Sequence, residues 1–503
     1  SGCGKSVLLR MIVGLEKPDQ GTIKYNGQNI EKLSEERLVP VRKKIAYVFQ
    51  YGALFDSFSI EENLAYPLRE HTSLSEEEIH DKVMATLERL GLKGTENLYP
   101  SDLSGGMQRR VGVARSIIMN PGASNDDKAA ISIIEKLGAT IQTQENKLII
   151  DSIGIQPQSL ELNCGESGLS ARMFTAIASL CNERLQINGS GSLLTRPMHF
   201  FDEILPQLSV QIETSEGKLP FKIKGPLQPK NINIDGSLSS QYLTGILLAF
   251  SSFELTEDIS IKVNNLKSKP YIDLTLSVIE AFGLNIPIND NYENFTFLSN
   301  HKINTEREVE FLIEGDWSSA AFLLVAGAIA GNIKITGLDV FSSQADKSIL
   351  QVLMSSGCLI SISPEQIEVT KSKLNPFYFD ATDCPDLFPP LVALAAYCDG
   401  KSVIKGTDRL IYKESNRSLT LQQEFQKMGV EIMLQDDLMI IDGGYQINGA
   451  TFNSHGDHRI AMACAIAALG AEGATLIEGA DAVNKSYPDF FIDLKKLGAN
   501  IQS

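Results

Sequence analysis

The sequence predicts an α/β protein built from repeats of one small unit, preceded by a shorter segment of different character. Three observations predict this. A helix-to-strand junction returns six times at intervals of 70, 75, 74, 72 and 69 residues. An apolar helix with a polar start rides on the same period five times. A lysine-bearing glycine turn stands at the head of the chain.

The head comes first. "SGCGKS" (1–6) is most of the pattern G-x-x-x-x-G-K-[ST]. Gly2 and Gly4 let backbone N–H groups face phosphate oxygens, Lys5 reaches the outer phosphates and Ser6 suits Mg²⁺. "SVLLRMIVGL" follows with helical apolar spacing. "AYVFQYGALF" places Gln50 after a strand-like run. "LSGGMQRRVGVARSII" (103–118) opens on a Ser104-Gly105-Gly106 turn and is expected to continue as a helix. A catalytic engine would next need an apolar strand ending in Asp-Glu. "ASNDDKAAISIIEKLGATI" reads as a helix instead, and Asp126 and Asp127 are the only nearby carboxylates, so ATP hydrolysis is not expected.

Charge divides at the same place. Residues 1–122 hold 16 Lys and Arg against 16 Asp and Glu, so the whole net charge of −17 lies beyond them. An acidic body argues against nucleic acid as a partner. Anionic substrates would require locally gathered Arg and Lys. The seven cysteines are scattered without a C-x-x-C, which fits a reducing compartment and buried thiols rather than a metal site or disulfide framework. With no signal peptide and no bilayer-length apolar run, the expected location is cytoplasmic. The opening inside a motif reads as a fragment.

Beyond the junction, "EKLGATI", "LPQLSVQI", "EAFGLNI", "MSSGCLI", "QKMGVEI" and "KKLGANI" each end a helix and begin a strand. The turning positions are Gly138, Leu208, Gly283, Gly357, Gly429 and Gly498, five of them glycine, as a left-handed helix end demands. The period suits a whole α/β unit, and the first unit is expected to keep only its final helix and strand. The second marker comprises "SGLSARMFTAIASL", "SSQYLTGILLAF", "DWSSAAFLLVAGA", "CPDLFPPLVALAAY" and "GDHRIAMACAIAAL". Their polar starts are capping chemistry, and five in phase suggest a shared anion-binding face.

With these segments in view, residues 1–122 resemble the ATP-binding subunit of an ABC transporter of the phospholipid-transport type. That resemblance implies ATP and Mg²⁺ at Lys5 and Ser6, and an ABC permease as partner if this part functions. Residues 123–503 resemble EPSP synthase through "SSQYLT", "SKPYIDLTL", "EGDWSSAAF", "KESNR", "GDHRIAM" and "NKSYPDFF". The resemblance implies two lobes, the enolpyruvyl transferase fold of six βαβαββ units, with lobes at 123–313 and 314–503 and the active site between them. It implies transfer of enolpyruvyl from phosphoenolpyruvate to the 5-hydroxyl of shikimate 3-phosphate, with no cofactor and no metal. Arg196, Arg417 and Arg459, with Gln241 and Lys485, are then expected at phosphoenolpyruvate, where guanidinium groups grip carboxylate and phosphate. Gly168 leaves room beside it. Ser239, Ser240, Ser268, Tyr271 and Lys413 are expected at shikimate 3-phosphate. Asp386 would accept the hydroxyl proton, and Glu414 with Lys485 would protonate the methylene carbon.

Departures from the family pattern shape the remaining expectations. Glu166 in "CGESGLSAR" stands where Asn is common and would repel the substrate unless paired, for instance with Arg172. The family's opening strand and its G-S-K-S-x-x-x-R loop have no counterpart from residue 123 onward, so turnover by this chain is expected to be impaired. Lys5, Ser6 and Arg10 share that loop's spacing but sit in ATPase-like text. The alternative reading is a transport ATPase subunit. The sister transferase acting on UDP-N-acetylglucosamine carries a reactive loop cysteine, which no cysteine here matches.

Overall fold

The computed structural model describes residues 24–25, 28–29, 59–62, 65, 69, 75–89, 94, 96–98 and 114–502, apart from 153, 300, 302 and 304–308. The chain divides into two compact units, Ser1–Val113 and Ala114–Ser503. In the first, β1 (Lys24–Tyr25) pairs antiparallel with β2 (Gln28–Asn29), and α1 spans Glu76–Arg89 with three glutamates in its first turn. Gly2, Gly4, Lys5, Ser6, Gln50, Ser104, Gly105 and Gly106 lie outside the described residues.

The second unit opens with β3 (Ala114–Met119), which corrects the expected helix over 103–118 for its last residues. "ARSIIM" is apolar and rich in isoleucine, and a place between two strands lets it bond on both sides. After Ser124, α2 (Asn125–Lys136) is fixed by a capping box in which Ser124 and Asp127 exchange bonds. The hairpin β4 (Thr140–Gln144) and β5 (Lys147–Ser152) completes this unit. The first of the six repeats, at the head of this second unit, therefore holds a strand, a helix and a hairpin, more than the sequence suggested.

The second and third units follow in full. β6 (Glu161–Asn163), α3 (Gly168–Ala178), β7 (Arg184–Asn188), α4 (Phe200–Gln207), β8 (Gln211–Ser215) and β9 (Lys218–Lys224) make one. β10 (Ile232–Asp235), α5 (Ser240–Ser251), β11 (Ile259–Asn264), α6 (Lys269–Ala281), β12 (Ile288–Asp290) and β13 (Asn294–Phe297) make the next. Each sheet runs first-second-fourth-third, parallel between the first two strands and antiparallel thereafter.

The chain then gives β14 (Val309–Leu312), α7 (Trp317–Ala330), β15 (Ile333–Thr336), α8 (Ile349–Ser355), β16 (Leu359–Ile362) and β17 (Gln366–Thr370). β18 (Tyr378–Asp380), α9 (Phe388–Ala396), β19 (Lys401–Lys405), α10 (Arg417–Lys427), β20 (Glu431–Gln435) and β21 (Leu438–Asp442) form the fifth unit. β22 (Thr451–Asn453), α11 (His458–Ala468), β23 (Leu476–Glu478) and α12 (Phe490–Lys496) form the sixth.

The junction glycines behave as their spacing requires. Gly138, Gly283, Gly357, Gly429 and Gly498 have φ of 110°, 67°, 78°, 87° and 105°, the region that penalises a Cβ. At the second junction the left-handed residue is Ser209, with φ 66°, rather than Leu208, which ends α4 at φ −93°. Burying Leu208 fixes its side chain in the core and passes the turn to the next residue. After Gly498 the described residues form no strand.

Two hydrophobic cores result. One runs from Ile133 to Phe297 and the other from Trp317 to Leu494. The helices α3, α5, α7, α9 and α11, apolar on most faces, lie inside them. Among the described residues no helix is long and apolar enough to cross a membrane.

Candidate active site

The first turns of the buried helices supply the site. Ser167 caps α3, Ser239 caps α5, Asp316 caps α7 and Asp457 caps α11 through side-chain oxygens. Asp386 does not cap α9: the cap position is Leu387, with no side-chain bond, and Asp386 lies in the 3₁₀ turn before it. Its carboxylate is thereby free to meet cations. Arg417 Nη1 bonds its Oδ1 at 2.7 Å, Lys413 Nζ at 3.2 Å, and Arg459 Nη2 lies 3.4 Å from Oδ2.

Arg417 is the hub. It is 1% exposed, opens α10 and donates to three carboxylates. Besides Asp386 it bonds Glu414 Oε2 at 2.6 Å and grips Asp457 with Nε and Nη2 at 2.8 and 3.1 Å. On the other side Glu414 Oε1 receives Lys485 Nζ at 2.9 Å and lies 3.1 Å from Arg196 Nη2. Lys485 also bonds the Glu166 carbonyl at 3.1 Å. Arg196 and Glu166 come from the first lobe, and Glu414 and Lys485 from the second. One carboxylate thus ties the two lobes together through cations that are themselves nearly buried.

The electrostatics follow from this packing. Burial pushes the Asp386 carboxyl up, but Arg459, Lys413 and Arg417 hold it far below the usual carboxylate range. Burial likewise opposes ionisation of Glu414, and Arg417, Lys485 and Arg196 hold it well below its ordinary value. The Lys413 ammonium is lowered, chiefly by burial. Burial drives His458 down to about 3, so its ring is neutral at physiological pH.

Closer to the first lobe, Gly168 sits where a Cβ would come within 2.8 Å of Arg196 Nη1 and 3.0 Å of Arg172 Nη1. The missing side chain makes room for two guanidinium groups. Arg172 bonds Gln241 Oε1 at 2.8 Å and lies over the Tyr242 ring. The suggested Glu166–Arg172 pair does not form. The Glu166 carboxylate lies against Gly191 instead, where a Cβ would be 2.2 Å from Oε1.

Ser268 and Tyr271 each donate to a carboxylate. Ser268, in left-handed geometry, donates its N–H to Asp383 at 2.6 Å. Its hydroxyl accepts from Arg409 Nη2 at 3.1 Å, and Arg409 Nη1 also bonds the carbonyls of Ser237 and Leu238. Tyr271 donates to Asp346 Oδ2 at 2.7 Å, and Ser318 donates to the same oxygen. Ser239 and Ser240 start α5 beside Gln241.

The expected residues therefore converge, with Asp386, Glu414, Lys413, Arg417, Arg459, Lys485 and Arg196 in one connected network. Sequence reasoning missed Arg409, Asp346 and Asp457, and gave Arg172 only a subsidiary place. Asp457 was visible in "GDHR", as the cap ahead of the noted arginine. Arg409 and Asp346 carry no local signal, since their partners are 141 and 75 residues away. Asp126, weighed as an ATPase carboxylate, sits instead near Lys485 and bonds Ser167. Burial raises its pKa. Six cysteines are buried free thiols, Cys3 lies outside the described residues, and no metal-binding cluster occurs among the described residues.

A buried network of arginines, lysines and carboxylates invites comparison with known proteins. Residues 111–494 match the family described as EPSP synthase (3-phosphoshikimate 1-carboxyvinyltransferase), and residues 1–123 match the ABC transporter family. The 3-phosphoshikimate 1-carboxyvinyltransferase of Clostridium novyi (strain NT) is 34% identical over 427 residues, covering 82% of this chain and 96% of that protein. The Clostridium perfringens (strain ATCC 13124) protein of the same name is 36% identical over 387 residues, covering 76% and 90%. The solved EPSP synthase of Acinetobacter baumannii superposes with a TM-score of 0.64 at 24% identity, covering 77% of this chain and 91% of that one. The enolpyruvyl transferase NikO of Streptomyces tendae superposes with a TM-score of 0.60 at 18% identity, over 77% and 90%. The repeated sheets, the paired lobes and the matched span agree: the chain belongs to the EPSP synthase family.

Proposed function

We propose that this chain moves the enolpyruvyl group of phosphoenolpyruvate onto the 5-hydroxyl of shikimate 3-phosphate and releases inorganic phosphate. The observation that carries the reading is Glu414, whose two oxygens are shared by Lys485, Arg196 and Arg417 at 2.9, 3.1 and 2.6 Å. The cations for two phosphorylated acids and a carboxyl–ammonium proton pair meet at one point.

In this reading Arg196, Arg417, Arg459 and Gln241 hold phosphoenolpyruvate. Ser239, Ser240, Ser268, Tyr271 and Lys413 hold shikimate 3-phosphate. Asp386 is a weak base while three cations surround it. Incoming phosphate and carboxylate groups draw those cations away, returning Asp386 toward ordinary basicity as the 5-hydroxyl arrives. Asp386 takes the hydroxyl proton while the oxygen bonds C2 of phosphoenolpyruvate. Glu414, linked to Lys485, delivers a proton to C3. Loss of a C3 proton back to that pair then expels phosphate and restores the double bond. The chemistry calls for no cofactor. Turnover is expected to be slow, because the sequence from residue 123 onward holds no counterpart of the family's G-S-K-S-x-x-x-R loop.

Phosphorus-31 NMR of the full chain with both substrates tests the reading. One equivalent of inorganic phosphate should appear for each shikimate 3-phosphate converted, and none when either substrate is omitted. Phosphate release from phosphoenolpyruvate alone would contradict it.

For residues 1–123 the family match supports binding of ATP with Mg²⁺ through Lys5 and Ser6, and an ABC permease as partner. Mg²⁺-dependent displacement of a fluorescent ATP analogue, lost in Lys5→Ala, is the corresponding test.

A further inference from the structure

The arginines of the cleft differ in what they face. Arg196, Arg417 and Arg459 lie 3.1, 2.7 and 3.4 Å from carboxylate oxygens. Arg409 bonds neutral groups. Its Nη1 donates to the carbonyls of Ser237 and Leu238 at 3.0 and 2.9 Å, and its Nη2 to the Ser268 hydroxyl at 3.1 Å. Its Nε is buried and has no partner among the described residues.

A guanidinium carries five N–H groups in one plane. Two carbonyls occupy Nη1 and Ser268 takes one donor of Nη2, which leaves an Nη2–H and the Nε–H. The same pair of nitrogens is the edge with which Arg417 grips the Asp457 carboxylate. In Arg409 that edge lies beside a serine hydroxyl and suits an anion with two oxygens to offer.

The backbone behind Arg409 is fixed. The residue sits in the 3₁₀ turn Thr407–Leu410, entered through Gly406 at φ 114°. The Asp408 N–H donates to Asp437 Oδ1 at 3.0 Å and the Gly406 N–H to the Asp437 carbonyl at 2.8 Å, which moors the turn to the link between β20 and β21. From this turn of the second lobe the side chain reaches two separate segments of the first. Ser237 and Leu238 directly precede Ser239 and Ser240 at the start of α5, and Ser268 precedes α6. Asp383 accepts the Ser268 N–H at 2.6 Å, so that amide is taken and Arg409 is the cationic donor already bonded to this serine.

We propose that Arg409 is a specificity-determining residue for the acceptor: it aligns the serine segments 237–240 and 268 from the opposite lobe and presents its Nε–Nη2 edge to a phosphate monoester. This role rests on the placement of shikimate 3-phosphate at Ser239, Ser240 and Ser268 proposed above, and adds the group that selects the phosphorylated acid over the unphosphorylated one. A residue that merely joined the lobes would serve both acids alike.

Calorimetric titration of the full chain and of Arg409→Gln with shikimate 3-phosphate and with shikimate tests it. The parent chain should prefer the phosphorylated acid, and Arg409→Gln should shrink that preference about fivefold or more, as the loss of charge-assisted bonds to one anion requires. Arg409→Lys keeps the charge without the planar fork, and its preference should fall between the two. It also carries the test if the glutamine variant does not fold. An unchanged preference in the variants would overturn the proposal, and so would an equal loss for both acids. A parent chain that shows no preference would instead overturn the placement of shikimate 3-phosphate itself, and this role with it.

Discussion

Arg417→Met removes the hub of the cleft without removing volume, and its effect can be worked from the ion pairs. Arg417 faces Glu414, Asp386 and Asp457 at 2.6 to 2.8 Å, and the Asp457 side chain is fully buried. Taking one partner from a buried ion pair costs about 3–5 kcal/mol. The loss should therefore reach at least about 3 kcal/mol at pH 7.5. Its pH dependence follows from the carboxylates. In the parent chain Asp457 and Glu414 sit below their ordinary values despite burial, because Arg417 is present. Their pairing stabilises the fold above the unfolded carboxylate pKa of about 4, and this contribution is lost as pH falls through the lower folded values. In the variant Glu414 keeps Lys485 and Arg196, but Asp457 stays buried without its guanidinium, so its folded value rises above the unfolded one. The variant is then weakest at neutral pH and recovers as pH falls toward about 4. Trp317, the chain's single tryptophan, is buried at the start of α7 in the same lobe, and its fluorescence during urea unfolding reads this core. A loss below about 1 kcal/mol, or one equal at pH 7.5 and pH 5, would refute the reasoning.

Three further outcomes follow from the same geometry. Glu414→Gln keeps the shape but cannot shuttle a proton, and should lower phosphate release from the two substrates by about 10²–10⁴-fold, with less effect on substrate binding by calorimetry. Asp346, raised to about 6 chiefly by burial and then by Asp386, folds best protonated. Its contribution is full below pH about 4 and falls as pH rises through about 6, by about 3 kcal/mol. Asp346→Asn should lack that slope in urea-denaturation midpoints measured between pH 4 and 7. Ile118→Pro breaks a strand bonded on both sides, opposite Leu148 and Phe311. Hydrogen exchange should quicken at least tenfold across both 147–152 and 309–312, whereas a helix at 114–119 would leave 309–312 unchanged.

What the sequence revealed was periodic, and what it concealed was non-local. The junction glycines show because a left-handed turn excludes most other residues. The exception, Leu208, shows how a buried leucine can hold the expected place while Ser209 takes the turn. Residues 114–119 misled because "ARSIIM" suits either a helix or a strand, and the two family matches overlap there, over 111–123. The deciding partners are β5 nearby and β14, nearly 200 residues onward, which no local pattern reveals. In the cleft, arginines and lysines were legible because anion chemistry restricts the residue types. Arg409 and Asp346 were not, because each meets its partner across elements far apart in the chain.

The account rests on a single anion-binding hollow assembled from both lobes. Calorimetric titration of the full chain with shikimate 3-phosphate tests this most directly. Saturable binding at one site per chain is predicted, weakened at least tenfold for unphosphorylated shikimate. Absence of saturable binding, or equal affinity for the two compounds, would contradict it.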